Sequence, residues 1–69
     1  MEVIVILGWI DGFGADTEVW GICDSLEKAR EIFPIGCADN PIKYQIVNIN
    51  TECNLDYYEA DYLHPEERY

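Results

Sequence analysis

Residues 2–10, EVIVILGWI, decide how the rest of the chain folds. β-Branched and large apolar residues follow one another with almost no polar interruption, the pattern of a strand that is covered on both faces or placed centrally in a sheet. The run is far shorter than the roughly 20 residues needed to cross a bilayer, so it is expected to be a core strand and not an anchor.

Working outward, DGFGAD (11–16) combines glycines that permit positive φ with turn-favouring aspartates, and predicts a chain reversal. TEVWGIC (17–23) alternates as a second strand. Val19, Gly21 and Cys23 fall on one side, and Glu18, Trp20 and Ile22 on the other. The two strands predict an antiparallel hairpin with a loop longer than the tight two-residue kind. Next, Asp24 or Ser25 offers an N-cap and Pro34 a stop, so residues 25–33 are expected to form a short helix. Its apolar stripe, Leu26, Ala29, Ile32 and Phe33, predicts the face that lies on the sheet. IGCADNP reads as a loop, and IKYQIVNIN (42–50) as a third strand.

The last element stays open. LDYYEADYL (55–63) alternates as a strand does, yet Leu55, Tyr58 and Tyr62 also match helical spacing. The expectation is a single small α+β domain over residues 1–69. It has an antiparallel sheet of order β-β-α-β plus a C-terminal strand or helical turn, one helix packed on the sheet, and residues 64–69 as an exposed tail.

Size and charge limit the function. A chain of 69 residues buries a small core, since folding at this length hides only about 60% of the unfolded chain's surface. A catalytic cleft with supporting residues finds little room. The 49% hydrophobic content still argues for a folded domain. Fourteen Asp and Glu against four Lys and Arg give a formal net charge of -10. Gripping phosphates needs Lys and Arg, so neither direct nucleic-acid binding nor attachment to an anionic membrane is expected. The expected partners are cationic.

Candidate chemistry is thin. Cys23, Cys37, Cys53 and His64 match the ligand count of a structural zinc site but lack its close ligand pairs, so no metal or other cofactor is expected. The odd number of cysteines and the absence of a secretory-type N-terminal segment fit a reduced cytoplasmic setting. GFG lacks the further glycines or the Lys-Ser/Thr of a phosphate cradle. One histidine and scattered cysteines supply no nucleophile–base pair, so a binder is expected and not an enzyme.

The residues that fit binding are acids and tyrosines. Asp56, Glu59 and Asp61 stand among Tyr57, Tyr58 and Tyr62, with Glu52 before them and Glu66 and Glu67 after; Asp11, Asp16 and Glu18 form a second cluster. As a strand, YEADY would space Glu59 and Asp61 about 7 Å apart, on the scale of successive duplex phosphates. The tyrosines would add rigid amphipathic contact area. The alternative is a small regulatory or structural interaction module whose partner does not bind nucleic acid.

In its short length, its pI near 4.1, its β-β-α-β order and its lack of catalytic inventory, the chain resembles phage-encoded inhibitors that mimic DNA, anti-CRISPR proteins among them. That resemblance implies blockade of a basic nucleic-acid-binding complex, such as a CRISPR–Cas effector, in the host cytoplasm. Residues 19–33, VWGICDSLEKAREIF, are also similar to the strand-then-capped-helix stretch of small uncharacterised prokaryotic and phage domains.

Overall fold

Strand β1 (Glu2–Trp9) is the centre of the fold, with β2 (Thr17–Cys23) on one side and β3 (Lys43–Asn48) on the other. The computed structural model describes residues 1–9 and 17–67. A two-residue β4 (Asp61–Tyr62) completes a four-stranded antiparallel sheet of order β2-β1-β3-β4. With helix α1 (Leu26–Ile32) packed on it, the chain is a small α+β domain.

The unbroken hydrophobicity of β1 has a direct cause, because both of its faces are buried. Ile4 and Ile6 join Cys23, Ala29, Ile42 and Leu63 on the helix side. Val5 and Leu7 pack with Tyr57 on the other, where Leu55 and Ala60 from the chain after β3 complete the cover. Ile6, Leu7 and Leu63 are fully buried, each contributing about 1.5–3 kcal/mol of hydrophobic stabilisation.

Helix α1 is capped by Ser25, whose side chain accepts from the Lys28 amide at 3.2 Å. It ends where Phe33 N–H donates to the Ala29 carbonyl, one residue before Pro34. Leu26, Ala29 and Phe33 pack on the sheet as expected. Ile32 does not, remaining 62% exposed. Phe33 turns towards Trp20, with ring centroids 6.3 Å apart, and leaves Ile32 on the outer side of a helix seven residues long.

Two further expectations need correcting, and the open last element is resolved. The strict alternation across β2 fails because Ile6 pairs with Gly21 and Leu7 with Val19, which makes Trp20 a bulge residue. Trp20 then covers Gly8, where an added Cβ would fall 2.1 Å from its ring. The third strand stops at Asn48, not Asn50, because Asn50 adopts φ 66° and Thr51 Oγ1 donates to the Asn48 carbonyl. Residues 55–63 are both a turn and a strand. Ala60 N–H closes a turn on the Tyr57 carbonyl, and β4 follows, pairing Asp61 with Tyr44 and Tyr62 with Lys43. The reversal expected at residues 11–16 lies outside the described residues.

The exposed tail expected from residue 64 is instead docked. His64 is buried, its Nε2 lying 2.6 Å from the Phe33 carbonyl, to which it donates. Arg30 Nε donates to the Leu63 carbonyl at 2.9 Å, and Gly36 N–H donates to Glu67 Oε1 at 2.9 Å. The 3-10 turn Pro65–Glu67 is thereby fastened beside the end of α1.

Candidate functional site

The acids named from the sequence that the structure describes are distributed over five places. Glu18, on β2, is exposed and accepts from Trp20 Nε1 at 3.2 Å. Glu52 is exposed in the connection after β3. Asp56 is half-buried because its Oδ1 accepts from the Tyr58 amide and starts the 57–59 turn, on which Glu59 is exposed. Asp61 projects from β4. Glu66 is exposed 3.6 Å from His64 Nδ1, while Glu67 is half-buried and spent on Gly36. Asp11 and Asp16 lie outside the described residues.

Glu59 and Asp61 therefore do not stand on one extended strand, and the regular two-residue carboxylate spacing expected of YEADY is absent. A turn carries the first and a strand the second.

The tyrosines divide in the same way. Tyr58 is 70% exposed and meets Tyr57 edge to face, centroids 5.7 Å apart. Tyr57 is buried and is no contact residue. Its hydroxyl donates to the Pro41 carbonyl and its amide to Thr17 Oγ1 at 3.1 Å, tying the turn to the start of β2 and to the residues just before β3. Burial pushes the Tyr57 phenol above its ordinary 10.0, with Tyr62, Tyr58 and Glu67 adding to the rise. Tyr62 is half-buried, and with Tyr57 it encloses the Lys43 ammonium, 4.9 Å and 4.5 Å from the two ring centres.

That enclosure sharpens the electrostatics. Lys43 is only 8% exposed. Arg30 is engaged with a backbone carbonyl and Lys28 with Glu31 at 3.8 Å; Arg68 lies outside the described residues. Among the described residues, Glu31 and Glu66 are the acids with a cationic group within 4.0 Å, and Glu66 faces a histidine. Glu18, Glu52, Glu59 and Asp61 present their charge to solvent uncompensated. Summed over a small molecule, such an excess attracts basic surfaces from a distance.

A feature missed in the sequence is a cavity of about 530 Å³ where the end of β1, the start of β2 and the 36–40 loop meet. Trp9, Trp20, Glu18 and Asp39 line it. The available signal was a tryptophan on each of two neighbouring strands, β1 and β2.

Among the described residues no group of three or more His, Cys, Asp or Glu is placed to hold a metal, and no helix is long and apolar enough to cross a membrane. The cysteines are free, with Cys23 in the core and Cys37 and Cys53 exposed. No protein-family model, curated protein or solved structure matches the chain.

Proposed function

We propose that the protein is an acidic binder that occupies the nucleic-acid-binding surface of a basic protein, a defence effector of the CRISPR–Cas type being the favoured target, in the cytoplasm of the host. The observation that carries this is the commitment of the described cations, Lys28, Arg30 and Lys43, to internal partners, while Glu18, Glu52, Glu59 and Asp61 stay exposed and unpaired. A basic groove that binds phosphates by charge meets the same sign of field here, and long-range attraction speeds the encounter.

The structure removes part of the support that a regular carboxylate ladder would have given. Charge density and not phosphate-like spacing is the basis of the mimicry. The test is retention of host DNA-binding proteins, pre-selected on a duplex DNA column, by the immobilised protein. Mimicry predicts that at least one is retained and is released by added duplex DNA. Retention of none, or retention that duplex DNA leaves intact, would reject it.

A second proposal is a module whose partner does not bind nucleic acid, favoured by the exposed apolar residues Ile22 (66%) and Tyr58 (70%). Such a contact loses affinity on Tyr58→Ala and responds little to salt.

A further inference from the structure

The cavity beside Trp20 has a chemistry of its own. One wall is Trp20, whose indole is held on three sides. Its ring lies against Gly8, its face is tilted 42° to Phe33, and its Nε1 donates to Glu18. Trp20 nevertheless remains 36% exposed. Trp9 also borders the space, but its indole packs with Val5, Leu7 and Tyr57 on the other face of the sheet. Glu18 and Asp39 are the charged lining residues, and both are acids.

An aromatic face beside carboxylates in a recess is the arrangement that binds an organic cation. We propose that this cavity takes an arginine side chain presented by the partner. Two facts favour arginine over lysine. A planar guanidinium stacks on an indole, whereas an ammonium acts as a point charge; and a guanidinium donates to a carboxylate through a fork of N–H groups. Glu18 is held at the edge of the Trp20 ring by the hydrogen bond from Nε1, which engages Oε2. A guanidinium over the ring would therefore have the Glu18 carboxylate beside the ring edge as a hydrogen-bond acceptor. Asp39, from the 36–40 loop, supplies a second acceptor.

The volume of about 530 Å³ lies within the range of small-ligand sites, about 300–1,000 Å³, and admits an arginine side chain together with part of the peptide that carries it. The inference rests on the proposal of a basic partner but is tested without one.

The experiment follows the two indole N–H resonances, assigned with Trp9→Phe and Trp20→Phe, during titration with N-acetyl-arginine amide. The neutral isostere N-acetyl-citrulline amide is titrated in parallel. The expected result is a saturable shift of the Trp20 indole with the arginine probe and none with citrulline. Glu18→Gln and Asp39→Asn should each weaken it by about tenfold, the scale of a charge-assisted hydrogen bond. Glu27→Gln, which removes an exposed acid on α1, should leave it unchanged. A non-saturable response, equal shifts with citrulline, or equal losses in all three variants would overturn the inference. Arginine binding without release of partners by duplex DNA would leave this site standing and remove the mimicry. The converse outcome would remove the site alone.

Discussion

The Arg30 guanidinium donates through Nε to the Leu63 carbonyl at 2.9 Å, joining the helix to a residue 33 positions further along the chain. With His64 on the Phe33 carbonyl and Glu67 on the Gly36 amide, it makes the C-terminal residues part of the core's frame. Arg30→Met, which keeps the aliphatic stem, should lower stability by about 1 kcal/mol, the net worth of one such bond. Removing residues 64–69 should cost several times more, because the Phe33 carbonyl and the Gly36 amide both lose partners. Urea denaturation midpoints measure both changes; equal midpoints for wild type and truncation would show the tail to be free.

Tyr57 predicts an alkaline limit to stability. Its phenol is raised above 10.0 in the folded protein by burial first, and then by Tyr62, Tyr58 and Glu67. Below pH 10 the proton is bound in both states and nothing is lost. As pH climbs past the unfolded value the unfolded chain releases its proton first, so folding stability falls until the folded value is passed. Tyr57→Phe should cost about 1 kcal/mol at neutral pH, because the Pro41 carbonyl loses its donor. The variant should also show a shallower decline above pH 10. Parallel stability–pH curves for the two proteins would refute the assignment.

Lys43 is expected to be structural. Its ammonium lies between Tyr57 and Tyr62, and no carboxylate is within 4.0 Å among the described residues. Lys43→Ala removes both the cation over the rings and the buried stem, for a loss of about 2 kcal/mol. Lys43→Met keeps most of the stem and should lose less than half of that. Thermal denaturation of the pair distinguishes packing from charge; equal losses would place the whole effect on the charge.

At Gly8 a methyl group would enter the Trp20 ring, 2.1 Å from Cε2. Gly8→Ala should push the indole off Phe33 and cost roughly 1–3 kcal/mol, as overpacking does. A shift in tryptophan fluorescence at retained helix content would report the displacement, and an unchanged spectrum would contradict it.

The parts of the fold written locally were legible. β1 announced two covered faces through its unbroken apolar run, and Pro34 with a Ser25 cap marked the helix. What the sequence concealed depends on distant partners. Tyr57 and Tyr58 are adjacent and chemically equal, but the Pro41 carbonyl and the Thr17 hydroxyl are placed to receive only the first. His64 turns inward because the helix end offers it a carbonyl, which no spacing within the tail reveals. The bulge at Trp20 reversed a strand alternation that single-strand periodicity assumes to be regular. The acids were found by composition, but their arrangement on a turn, a strand and a 3-10 turn was not. Asp39 was missed because the cavity joins its loop to residues of β1 and β2 that are distant in sequence.

The charge hypothesis meets its most direct test in a binding titration of a retained DNA-binding protein. It is run at low and high salt, with and without duplex DNA, against the wild type and the triple variant Glu52→Lys, Glu59→Lys, Asp61→Lys. These three acids are exposed, so each change should move stability by only about 0.5 kcal/mol. The account predicts affinity that falls steeply once the Debye length drops below about 8 Å, competition with the duplex, and loss of binding in the folded triple variant. Binding that ignores salt, tolerates the three reversals and leaves the partner's hold on DNA untouched would contradict it.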